Sequence, residues 1–269
     1  MRFVKALISA AALAASASAF ATPVSPYGDD GPGTGLQTII NGLYSAAGTP
    51  ITAAPDVNLN QTVESGQFQI EASTVSAANM IVEIAGLAAS NTFGIYDITN
   101  PANYLQLFSG GATSGFRSTL LITFNAVTSN YSFLATTYGL DGDMDGFPDV
   151  VSSSGKIFNT NTFGYYLGSA AGPTFYSEAS RNANGADQMV AYQGDGDLIR
   201  INGIDANWGS SSYILAWEDK PLAGSDKDYN DMVVYVESVK PVPEPGSLAL
   251  LGLGLAGLAA ASRRKQKQA

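Results

Sequence analysis

The chain reads as an all-β protein, an antiparallel β-sandwich or jelly roll. Three observations predict this. Short runs rich in Val, Ile, Tyr and Phe recur along residues 57–240, and Gly, Asn, Asp and Ser turns separate them at short intervals. No repeat of solenoid length is visible, and helical spacing appears at one place only.

Taken in order, residues 22–56 form a Gly/Pro-rich lead-in. Within it Leu36, Ile39, Ile40 and Leu43 have the spacing of one short helix. An N-terminal β region is expected over 57–140, with strands in QFQIEAS, NMIVEIAGLA, NTFGIYDI, NYLQLFSG, STLLITFNAV and NYSFLATTYGL. A polar acidic loop between Leu140 and Ser154 marks a possible boundary. A C-terminal β domain then covers 141–240, with strands in TFGYYLGS, GPTFYSEAS, DQMVAYQG, DLIRING, SYILAWED and DMVVYVESV. Ile214–Trp217 and Met232–Val236 are expected to pair as antiparallel neighbours around a long acidic loop. Tyr213, Leu215 and Trp217 then share one face, and Ile214, Ala216 and Glu218 the other.

Both ends carry processing signals. Residues 1–21 have Arg2 and Lys5, an apolar run, then Ala19-Phe20-Ala21, the pattern of a signal peptide cleaved after Ala21. Leu248–Ala261 is an apolar stretch, short for a transmembrane helix, followed by Arg263, Arg264, Lys265 and Lys267, which favour the cytoplasmic side.

Between these ends, seven Lys/Arg face 23 Asp/Glu, leaving about −16 on the exported part. That charge repels phosphate backbones and excludes nucleic acid as a partner. There is no Cys and no His. Disulfides, thiolate metal sites, Ser-His-Asp chemistry and ordinary zinc sites are thereby removed.

Two acidic loops are candidate calcium sites. The first holds Glu218, Asp219, Asp226, Asp228, Asn230 and Asp231 between two apolar runs. Carboxylates gathered there raise one another's pKa unless a cation sits among them. Calcium takes six to eight oxygen ligands of these types. The second is DGDMDGFPD, in which Asp141, Asp143, Asp145 and Asp149 fall at positions 1, 3, 5 and 9 of an EF-hand-like loop. Position 12 is Ser152, so this is not an EF-hand proper. The competing reading of both loops is a solvated turn, since Asp, Asn and Gly are favoured turn residues. Asp195 and Asp197 read as turn residues. Trp208, in the polar DANWGSS, is the best candidate for an exposed sugar-stacking ring, and most other aromatics read as core.

Two resemblances add to this. Val242-Pro243-Glu244-Pro245, the glycine-rich apolar stretch and the Arg-rich tail resemble the PEP-CTERM sorting signal of Gram-negative, exopolysaccharide-making bacteria, over residues 241–269. This implies an exosortase-type processing enzyme that reads Pro243, Glu244 and Pro245, a transient anchor in the inner membrane, and a destination at the cell surface or outside it. The stretch from NTFGIYD to ILAWEDKPLAGSDKDYNDMVVYV resembles a bacterial extracytoplasmic family of unknown function. Its β domain carries a W-E-D…D-x-D-Y-N-D signature, matched here by Trp217, Glu218, Asp219, Asp226, Asp228, Tyr229, Asn230 and Asp231. The resemblance implies an architecture and a location but no reaction.

The expected function is a non-enzymatic structural or adhesive protein of the extracellular polysaccharide matrix, with calcium-stabilised loops and polysaccharide or cell-surface partners. Two other classes stand beside it. One is a calcium-dependent carbohydrate-binding module, and the other a polysaccharide hydrolase using Glu178, Glu218 or a nearby Asp as its carboxylate pair.

Overall fold

The computed structural model describes residues 24–26, 33–62, 65–71, 75–83 (backbone only), 90–110, 112–141, 148–169 and 172–242. The signal peptide, Asp143, Asp145, the Pro243-Glu244-Pro245 motif and the apolar stretch 248–261 lie outside them. Among the described residues no helix is long and apolar enough to cross a membrane.

The strands in chain order are β1 (Gln67–Ile70), β2 (Val75–Glu83), β3 (Thr92–Asp97), β4 (Asn100–Phe108), β5 (Arg117–Asn125), β6 (Asn130–Tyr138), β7 (Val150–Phe158), β8 (Thr162–Gly168), β9 (Thr174–Tyr176), β10 (Met189–Gln193), β11 (Asp197–Ile201), β12 (Ile204–Trp208), β13 (Ser212–Trp217), β14 (Met232–Glu237) and β15 (Val239–Pro241). Thirteen of them form two antiparallel sheets, and β11 and β12 pair separately. One runs β15-β1-β8-β3-β4, with β9 also paired to β8; the other runs β10-β13-β14-β2-β5-β6-β7. Strands from either side of residue 140 neighbour one another in both sheets: β8 pairs with β1 and β3, and β14 with β2.

The two sheets meet through one core. Phe68, Phe93, Phe163, Tyr165 and Leu167 of the first sheet pack with Leu120, Phe133, Met189, Leu215, Trp217 and Val234 of the second. Phe93 stacks on Tyr165 at 5.5 Å and meets Trp217 edge-on at 6.1 Å.

The second sheet is covered on its other face too. Helix α1 (Leu36–Ala47) buries Leu36, Ile40, Leu43 and Tyr44. The paired strands β11 and β12 add Ile199, Ile201 and Trp208, and all of these pack with Val190, Tyr192, Ile214, Ala216, Val233 and Tyr235. Gly48, at φ 78°, ends α1 in the left-handed conformation that glycine adopts freely. Strand β13 is therefore buried on both faces, with Tyr213, Leu215 and Trp217 in one core and Ile214 and Ala216 in the other.

Two expectations need correction. Trp208 is 1% exposed: it ends β12, donates its indole N–H to the Ser212 carbonyl at 3.2 Å and meets Tyr44 edge-on. A polar-looking sequence hid a strand end that folds inward. The acidic loop also stops sooner than Ser154, because β7 begins at Val150. Its run VVSSSGKIF pairs with β6 along nearly its whole length. Its serines face solvent on an edge strand, so composition alone read them as loop.

Candidate metal centre

The β13–β14 pair ends at Trp217↔Met232, so Glu218 and Asp231 leave the two strands side by side. The alternation that sends Ile214 and Ala216 toward α1 sends Glu218 the same way, and it is fully buried. The intervening loop folds back on itself. The Tyr229 amide donates to Glu218 Oε1 at 2.8 Å, the Asp219 amide to Asp231 Oδ2 at 2.9 Å, and the Asn230 amide to Asp228 Oδ1 at 3.2 Å. Lys227 and Tyr229 hold left-handed backbone at φ 62° and 54°. Non-glycine residues adopt this at a cost of order 1 kcal/mol.

Neighbouring elements complete the surroundings. Asn230 Nδ2 donates to the Thr34 carbonyl just before α1, and Asn91, just before β3, donates to Asp219 Oδ2 at 3.0 Å. Gln188 and the Tyr229 hydroxyl tie the loop to the start of β10, Gln188 donating to the Lys220 carbonyl and Tyr229 to that of Asp187.

The result is a cluster of oxygens with too few donors. Oxygens of Glu218, Asp226 and Asp228 lie within 4.8 Å of one another. Glu218, Asp219, Asp228, Asn230 and Asp231 are all buried, and Asp226 is exposed. Glu218 Oε2, Asp219 Oδ1, Asn230 Oδ1 and Asn91 Oδ1 accept no hydrogen bond of ordinary geometry. The ion pairs Arg181–Glu178 and Arg200–Asp205 lie away from this loop. A buried carboxylate without compensation costs several kcal/mol.

The titration behaviour follows. Burial, foremost, pushes Asp231 up to about 8, and the charges of Asp219, Glu218 and Asp226 add to this against the Asp219 amide. Burial also raises Glu218, opposed by the nearby Ser225 hydroxyl and the Tyr229 and Lys227 amides, with Asp226 pushing further upward. Asp187 rises to about 7 through burial, with the Met189 amide opposing.

The donors present would suit a hard cation. Carboxylates and amide carbonyls, without His or Cys, form an all-oxygen set suited to calcium, magnesium or manganese. Calcium sits about 2.3–2.6 Å from each ligand, so two oxygens on opposite sides lie about 4.6–5.2 Å apart, which matches this cluster. Glu218, Asp226 and Asp228 are the central candidates, with Asn230, Asp231 and Asp219 beside them. Asn91, Thr34 and Gln188 were not legible as members, since they come from distant stretches and carry no local acidic signature.

The other expected residues fall elsewhere. Asp141 is half-buried and Asp149 exposed, the Asp149 carbonyl accepting the Gly139 amide at 2.8 Å. Asp195 is exposed, and Asp197 opens β11 and accepts the Tyr44 hydroxyl at 3.0 Å. Glu178 is buried on the first sheet, with Gln67 Nε2 on one oxygen at 2.8 Å and the Tyr96 hydroxyl on the other at 2.6 Å, joined there by Arg181.

Comparison with known proteins gives two matches. Neither a curated protein nor a solved structure matches the chain. Residues 145–239 match a domain of unknown function, DUF4114, a stretch that includes the whole acidic loop. Residues 241–265 carry a PEP-CTERM protein-sorting motif, which implies export, recognition by an exosortase and sorting to the cell surface or the extracellular space.

Proposed function

We propose that this is a non-enzymatic structural or adhesive protein of the extracellular polysaccharide matrix, its β layers completed by a bound calcium ion. The observation that carries the calcium reading is that oxygens of Glu218, Asp226 and Asp228 lie within 4.8 Å of one another, beside the buried Glu218 Oε2 and Asp219 Oδ1, which accept no hydrogen bond of ordinary geometry. The ion would join the end of β13 to the loop that returns into β14. Through Asn230 and Asn91 it would also steady the entry to α1 and the start of β3. The sorting motif supports a destination outside the cell, where calcium is plentiful. A cation that binds only the native state stabilises it by about 2.7 kcal/mol at a hundredfold excess over Kd. For a chain without disulfides that is a large share of a stability of about 5–15 kcal/mol.

The test is a calorimetric calcium titration of the full chain in mild detergent, with thermal melts in calcium and in chelator. Saturating calcium is expected to raise Tm by about 5–10 °C. Asp228→Asn is expected to abolish both the heat and the rise. Equal melting in calcium and chelator, with no heat of binding, would overturn the reading.

A further inference from the structure

The outward face of the first sheet carries a groove of about 320 Å³, far in sequence from the acidic loop. Its origin lies in the strand register. Gln106 of β4 pairs with Gly94 of β3, Gly94 with Tyr166 of β8, and Tyr166 with Tyr176 of β9. These four positions form one row across four strands, roughly 14 Å long at the usual strand spacing. Tyr104 stands on the same face, and Thr92 and Thr174 flank the row on either side of Gly168.

The row is built to keep rings low on the sheet. A Cβ on Gly94 would come within 2.7 Å of the Tyr166 ring and 2.2 Å of the Leu105 carbonyl. One on Gly164 would lie 2.3 Å from the Tyr96 ring. Tyr104 meets Tyr166 edge-on at 5.4 Å, and Tyr96 meets Tyr176 edge-on at 4.9 Å. The Glu178–Arg181–Tyr96 network braces this floor from one end, with the Arg181 guanidinium 5.4 Å from the centre of the Tyr96 ring.

Three features identify the ligand class. Tyr104 is 51% exposed, and the buried Tyr166 hydroxyl has the Thr92 hydroxyl beside it but no hydrogen bond of ordinary geometry. Gln106, Thr92 and Thr174 add amide and hydroxyl groups at the rim, and no charged side chain lines the groove. Aromatic faces carry partial negative charge and attract the polarised C–H faces of a sugar ring, while hydroxyls and amides satisfy its O–H groups. An uncharged groove on so acidic a chain selects against acidic polymers by repulsion and offers a cation no carboxylate. Its volume sits at the lower end of ligand sites, about 300–1,000 Å³, which suits a short stretch of a longer chain.

We infer that this face binds a neutral polysaccharide laid across β4, β3, β8 and β9, with Tyr104 as its exposed ring and Tyr176 half-exposed beside the buried Tyr166. This goes beyond the cation reading and does not depend on it, because no carboxylate of the acidic loop lines the groove.

The test is affinity electrophoresis of the full chain in native gels cast with hydroxyethylcellulose, galactomannan, dextran or alginate. At least one neutral polymer is expected to slow the chain, and alginate is not. Tyr104→Ala is expected to weaken the retardation at least tenfold while Tm stays unchanged, and Gln106→Ala to weaken it severalfold. Asp228→Asn, run in parallel, is expected to be retarded like the parent, which separates this result from the fate of the calcium reading. No retardation by any neutral polymer, retardation by alginate alone, or retardation indifferent to both groove variants would each overturn the inference.

Discussion

Two buried glutamates of this molecule solve the same problem in opposite ways. Glu178 is 5% exposed and Glu218 fully buried. Glu178 is met by Gln67 on one oxygen and by Tyr96 and Arg181 on the other, a closed set of neutral and cationic donors. Glu218 has the Tyr229 amide on Oε1, the Ser225 hydroxyl and Lys227 amide nearby, no hydrogen bond of ordinary geometry on Oε2, and the carboxylates of Asp226 and Asp228 for company. A buried charge is tolerable when donors and an opposite charge surround it. Glu178 finds both in the chain itself, whereas Glu218 has no cationic partner among the ion pairs of the described residues, which is what the proposed cation would supply. The first is a strut of the fold, and the second is the centre of the proposed site.

The largest expected effect breaks the strut. Glu178→Ala leaves Arg181, Tyr96 and Gln67 without their acceptor, and removing one partner of a buried pair costs about 3–5 kcal/mol. The loss, read by urea unfolding, is expected to be the same in calcium and in chelator. Next in size is Glu218→Gln, for which the sign should depend on the medium. In chelator the variant removes an uncompensated buried charge and is expected to unfold later than the parent, by about 1–3 kcal/mol. In calcium it forfeits a ligand and is expected to unfold earlier. A variant that unfolds earlier in both media would put Glu218 in the same class as Glu178.

The sequence made one side of this comparison legible and hid the other. Period-two alternation across SYILAW assigned Glu218 to the face of Ile214 and Ala216, and its Oε1 accepts the amide of Tyr229, which packs in the same core as those two. The density of Asp and Asn in one loop identified the candidate oxygens because their ligands are close in sequence. The neighbours that decide the chemistry are Asn91, Thr34 and Gln188, which only the tertiary pairing delivers. Glu178 was equally opaque, because its acceptor role depends on Gln67 and Tyr96, some 111 and 82 residues away. The tyrosine row was hidden for the same reason. Tyr104, Tyr166 and Tyr176 sit on three strands, and alternation alone cannot tell an outward ring from a core one.

The third prediction concerns pH in chelator. A carboxyl whose folded-state pKa lies above its unfolded value binds protons more readily when folded. The stability so gained is fully present below the unfolded value of about 3.8 and is lost as pH rises through the folded one. With Asp187 near 7 and Asp231 near 8, the window runs from about pH 4 to about pH 8. Tm in chelator is expected to fall across it, by on the order of a few kcal/mol in stability. On the calcium reading the ion takes the place of the Asp231 proton, so the calcium-dependent rise in Tm is expected to grow from pH 5 to pH 8. A rise independent of pH would detach Asp231 from the ion.

The smallest effect tests how far the site reaches. Asn91 Nδ2 is the side-chain donor to Asp219 Oδ2, while Asn91 Oδ1 and Asp219 Oδ1 are both bare. If the amide only orients Asp219, Asn91→Ala removes one charge-assisted hydrogen bond, worth about 1–3 kcal/mol, and loosens the ligand it held. Outer partners of metal ligands typically carry tenfold to a hundredfold in affinity. Calorimetry of Asn91→Ala is therefore expected to give weaker calcium binding with unchanged stoichiometry and a Tm in chelator lowered by a few degrees. Glu178→Ala, by contrast, should leave calcium affinity untouched, because its network reaches Gln67, Tyr96 and Arg181 and no residue of the loop. Equal affinities for the Asn91 variant and the parent would confine the centre to the β13–β14 loop and leave the start of β3 outside it.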